Sequence, residues 1–88
     1  MANIVVVHEV GDFDTWISKN NREQLLPQCC ESYRLYRLPD QNKVAVVVEG
    51  ADMDKFGALM EGSEGQRAME EDTVKPPVDL FFEVEGAR

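Results

Sequence analysis

A chain of 88 residues, 43% apolar and 30% charged, has the size and balance of one small domain and lies outside the disordered and membrane-embedded classes. Its formal net charge of -8 disfavours nucleic acid and anionic membranes as partners, because both select basic surfaces. The longest apolar runs, residues 4–7 and 44–48, are far shorter than the roughly 20 residues a bilayer helix needs.

The opening Met1-Ala2-Asn3-Ile4 places no basic cluster before an apolar stretch, so a cytoplasmic location is the expectation. Residues 4–10 are short and β-branched and predict a strand, which Gly11-Asp12 breaks. Asp12 is placed to cap a helix whose apolar stripe is Phe13, Trp16, Ile17 and Leu25, with Asn20 on the same stripe. That helix should fray before Leu26-Pro27, since the residue preceding a proline avoids the α region.

Residues 32–38 predict a second strand, Pro39-Asp40-Gln41-Asn42 a turn, and residues 44–49 a third strand that closes a hairpin. Asp52 then caps a second helix carrying Met53, Phe56, Leu59 and Met60 on one side. Gly62-Ser63 interrupts it, and a further helical turn or two runs through Gln66, Ala68 and Met69, ending before Lys75-Pro76-Pro77. Residues 78–84 predict the last strand, and 86–88 a loose end.

The two cysteines, Cys29 and Cys30, are adjacent. Neighbouring residues suit neither ordinary disulfide geometry nor the spacing of zinc and redox motifs. Free thiols in a reducing compartment are expected, with an intermolecular bridge as the alternative.

The order β-α-β-β-α-β is that of a ferredoxin-like plait, an α+β fold in which a four-stranded antiparallel sheet carries its helices on one face. A wet second face should show alternating apolar and polar residues. Strands one and three do not alternate: Val5, Val7, Ala45 and Val47 oppose Ile4, Val6, Val44, Val46 and Val48 in parity. A second copy is the simplest cover for the other face, and a twofold axis lets one patch serve both subunits. Internal cover by residues 63–73 or by the C-terminal tail is the alternative.

Several short motifs together resemble the dimeric α+β barrel superfamily, and especially its short stand-alone members related to antibiotic-biosynthesis monooxygenases. The motifs are Val7-His8-Glu9-Val10, Asp12-Phe13-Asp14-Thr15-Trp16, Arg34-Leu35-Tyr36-Arg37, the Pro39-Asp40-Gln41-Asn42 turn, and Ala68-Met69 followed by Val74 and Pro76-Pro77. The resemblance spans nearly the whole chain and implies a dimeric α+β barrel. It also implies that Asn, Trp and Tyr side chains surround an aromatic substrate without a cofactor. This chain departs from the usual Ala-Gly-Val step before the last strand, having Asp72-Thr73-Val74 in a loop that borders the pocket of such folds.

His8 is the one histidine, so any imidazole acid–base chemistry rests on it. It shares parity with Ile4, Val6 and Val10, which together with Val78, Leu80, Phe82 and Val84 are assigned to the helix side of the sheet. A half-buried histidine bonded to a backbone carbonyl or a tyrosine is the plain structural alternative. Trp16, Tyr33, Phe56, Met60 and Phe82 are the candidate ligand-binding wall, and Asn20 and Tyr36 the candidate catalytic partners of His8. Core packing accounts equally well for Trp16, Phe56 and the methionines.

Glu9, Glu49, Asp79 and Glu83 share the opposite face, but no oxygen-rich loop accompanies them and no metal is expected. Glycine-rich phosphate loops, nucleophile elbows and zinc-helix motifs are lacking too, so no cofactor is expected. Three readings remain. One is a homodimer binding a small apolar or aromatic molecule between sheet and helices. A second is a cofactor-independent monooxygenase or polyketide-cyclase type using His8 as base. The third is a structural or protein-interaction dimer.

Overall fold

A computed structural model describes residues 1–19 and 21–86. The strands are β1 (Ala2–Val10), β2 (Ser32–Arg37), β3 (Lys43–Ala51) and β4 (Val74–Phe82). The helices are α1 (Phe13–Ser18), α2 (Asn21–Leu25), α3 (Met53–Glu61) and α4 (Ser63–Glu71), with a 3-10 turn at Leu26–Gln28. All neighbouring strands are antiparallel, in the order β2-β3-β1-β4. This is the ferredoxin-like α+β fold that the element order predicts.

The most β-branched segments, β1 and β3, take the two central positions, where a pleated surface buried on one face favours branched side chains. Ile4 pairs with Val48, Val6 with Val46 and His8 with Val44, and all six side chains are buried beneath the helices. Trp16 from α1 and Phe56 from α3 complete that core. Each fully buried aliphatic side chain contributes about 1.5–3 kcal/mol of transfer free energy.

The helices start where their caps place them. The Asp12 carboxylate accepts from the Thr15 N–H at 3.2 Å, and that of Asp52 from the Asp54 and Lys55 N–H groups. Gly62 separates α3 from α4 with extended backbone, as the Gly-Ser step implies. Gly65 lets α4 fold back closely: a Cβ there would lie 2.9 Å from the Leu59 carbonyl carbon.

Several boundaries differ from the sequence reading, three elements most of all. The first helix is resolved into α1 and α2, and the 3-10 turn carries Pro27 beyond the predicted stop. β3 runs on to Ala51, past Gly50 at φ 64°, a conformation glycine adopts without steric cost. β4 begins at Val74 and ends at Phe82, so it passes through Pro76-Pro77, joined by a cis peptide bond, and stops short of Val84. An edge strand tolerates proline because its outward N–H groups need no partner. Along β4, Val7 pairs with Asp79 and Glu9 with Lys75, so β4 accommodates extra residues around the prolines. No helix among the described residues is long and apolar enough to cross a membrane.

Candidate functional site

Between the sheet and the helices lies a cavity of about 100 Å³. Val6, Val46 and Val48 form its floor, Phe56, Leu59 and Met60 one wall, and Trp16 and Leu25 another. Its polar end is built by His8, Arg22 and Asp72, with Asn21 beside them. β1 delivers His8 by strand alternation, α1 delivers Trp16, and the turn leaving α4 delivers Asp72.

His8 is 7% exposed, and its Nδ1 lies 3.1 Å from the Glu9 carbonyl oxygen. A carbonyl only accepts, so the ring proton sits on Nδ1 and the Nε2 lone pair is left bare. Among the described residues no protein group is paired with Nε2, and no fully buried side-chain nitrogen or oxygen lacks a partner. His8 itself lines the cavity. Burial is the main cause holding the His8 pKa below its ordinary 6.5, aided by the Arg22 charge and opposed by the Glu9 bond and Asp72.

Arg22 is tied down from several sides. Its guanidinium donates to the Trp16 carbonyl at 2.8 Å and the Ile17 carbonyl at 3.3 Å, satisfying acceptors left open at the end of α1. It also lies 4.4 Å above the centroid of the Trp16 ring, within cation–π range. The Trp16 ring in turn meets His8 edge-on, with centroids 6.1 Å apart.

Asp72 is 5% exposed. One of its oxygens accepts from Asn21 Nδ2 at 2.9 Å, while the other stands 3.9 Å from Arg22 Nη1, too far for a hydrogen bond. Burial raises its pKa above the ordinary carboxylate value, against the Asn21 bond and the Arg22 charge. Thr73, next in the chain, holds φ 60°, strained for a β-branched residue. Bonds from Thr73 to Gly11 and Asp12 fix that loop and so aim Asp72.

The structure brings His8, Trp16, Phe56 and Met60 together around the cavity. Tyr33 packs half-buried against the core without lining the cavity. Tyr36 is separated from His8: it pairs with Ala45, which pairs with Val7, so its side chain leaves by the opposite face and is 51% exposed. It cannot orient a substrate against His8. Phe82 shares the Ile4 side but is 54% exposed near the end of β4 and does not reach the cavity. The expectation for Asn20 lies outside the described residues.

Two residues of the polar end escaped the sequence reading. Arg22 belongs to α2 and lies six residues after Trp16 of α1, off the helical spacing that the sequence offers, yet it donates to the Trp16 carbonyl. Asp72 carried one signal, as the departure from Ala-Gly-Val. On the opposite face, Glu9 pairs in register with Lys43 and Lys75, and Arg34 bonds Glu49 at 2.6 Å. Among the described residues no group of three or more His, Cys, Asp or Glu side chains is placed to hold a metal.

The fold and cavity define a ferredoxin-like α+β protein with a sheet-to-helix pocket. Its architecture is similar to the crystal structure of an antibiotic biosynthesis monooxygenase, with a TM-score of 0.64 over 99% of this chain and 100% of that one. Sequence identity between the two is 9%, so the likeness is one of fold. No protein-family model matches the chain, and no curated protein matches it in sequence.

Proposed function

We propose that this chain is a single-domain homodimer that holds a small apolar or aromatic molecule in the cavity between sheet and helices. The observation that carries the reading is the cavity itself: apolar side chains line most of it, and a few polar groups converge at one end. The orientation of His8 favours binding over acid–base catalysis. Its Nδ1 is satisfied by backbone, and no carboxylate or tyrosine among the described residues hydrogen-bonds the ring. The monooxygenase activity named for the structural neighbour therefore stays the second reading, resting on the bare Nε2 as a base.

The dimer is supported by the sheet face turned away from the helices. Val5, Val7, Ala45 and Val47 are only half-buried there, and Tyr36 and Phe81 are 51% and 57% exposed. A continuous apolar strip of this kind invites a self-complementary partner. Native mass spectrometry of gently desalted protein tests both parts together. A dimer retaining an extra small-molecule mass is the expected result; a bare monomer at micromolar concentration overturns the dimer.

A further inference from the structure

The polar end of the cavity is biased toward accepting hydrogen bonds. His8 Nε2 offers a lone pair, because Nδ1 carries the ring proton and gives it to the Glu9 carbonyl at 3.1 Å. Asp72 offers a second acceptor in the oxygen that stands 3.9 Å from Arg22. The cationic group nearby is held in place, since two of the five N–H groups of Arg22 donate to the Trp16 and Ile17 carbonyls and its face stacks on the Trp16 ring. An anionic ligand would meet the Asp72 carboxylate and a chain of net charge -8. Size sets a further limit: a cavity of about 100 Å³ is smaller than the roughly 150 Å³ known to enclose benzene.

We propose that the pocket, which is open on one side, takes an uncharged, hydroxyl-bearing molecule whose single ring it encloses only in part, with the hydroxyl donating to His8 Nε2. This inference rests on the small-molecule-binding reading of the same cavity and specifies its ligand class. Apolar walls favour the ring, and the imidazole favours the hydroxyl over a methyl group in its place. A methyl there would leave Nε2 desolvated and unpaired. Burial keeps the imidazole neutral at neutral pH, so the acceptor is available.

The test uses three probes on the intact protein: phenol and toluene, which match in size, and benzoate, a somewhat larger anion. Calorimetric titration near neutral pH gives their affinities. Nitrogen-15 NMR reads Nε2 directly, because the chain has a single histidine. The expected result is phenol binding at least about tenfold tighter than toluene, benzoate weaker than both, and Nε2 moving away from its bare pyridine-type position only with phenol. A preference for phenol below that, an unmoved Nε2, or benzoate binding tightest overturns the hydroxyl-to-imidazole contact while leaving the pocket as a binding site. Failure of all three probes to bind overturns this inference, and the binding reading falls with it only if native mass spectrometry also finds no retained molecule.

Discussion

Replacing Arg22 with methionine keeps the aliphatic stem packed on Trp16 and removes only the guanidinium. Its two bonds to the Trp16 and Ile17 carbonyls are worth about 1 kcal/mol each. Stacking at 4.4 Å over the Trp16 ring adds about 1–2 kcal/mol at a desolvated site. Asp72 then loses its nearest counter-charge, although the separation of 3.9 Å keeps that coupling modest. The sum is a loss of about 3–4 kcal/mol, a large share of the roughly 5–15 kcal/mol that holds a domain together. Urea unfolding at neutral pH measures it, with the single Trp16 as reporter. A double-mutant cycle with Asp72→Asn should give a coupling of about 0.5–1 kcal/mol. A loss below about 0.5 kcal/mol for Arg22→Met, within the range of ordinary surface substitutions, would refute the assignment of Arg22 as the residue that secures the end of α1.

Four further outcomes follow from the same geometry. The folded-state pKa of His8 lies below the ordinary 6.5, so the unfolded chain binds the proton more readily. Its contribution is present above that value and lost as pH falls through the folded-state pKa, which an imidazole NMR titration and stability curves between about pH 7 and 5 check together. Asp72 has the opposite sign: its pKa is raised, so ionised Asp72 is a cost at neutral pH. Asp72→Asn should match or exceed the native stability by up to about 1 kcal/mol in urea unfolding. Gly65→Ala drives a Cβ into the Leu59 carbonyl, so it should destabilise by about 1–3 kcal/mol and alter the cavity lined by Gly65. Val47→Lys places a charge at the centre of the half-buried open face; if two copies join there, sedimentation should show a folded monomer, and an unchanged dimer would place the interface elsewhere.

The sequence by itself determined the element order, the two aspartate caps and the breaks at Gly11 and Gly62, because these follow from local backbone chemistry. It also determined that His8 shares a face with Ile4 and Val6, since side chains alternate strictly along a strand. Helical periodicity placed Trp16 and Phe56 on inward faces as well. It could not show which face of β2 receives Tyr36, because Tyr33-Arg34-Leu35-Tyr36 supplies an apolar or aromatic residue to both parities. Only the pairing of Tyr36 with Ala45 decided that it leaves the His8 side. The start of β4 at Val74 was likewise a tertiary outcome, because alignment beside β1 carries an edge strand through two prolines that local rules read as a stop. The polar end of the cavity is the clearest case. Arg22, Asp72 and His8 come from three separate segments, and their meeting depends on how α2 is held against α1 by Arg22 and on the loop fixed by Thr73. Hydrogen bonds between residues distant in sequence leave no period to read, and the cavity exists only once the helices lie against the sheet.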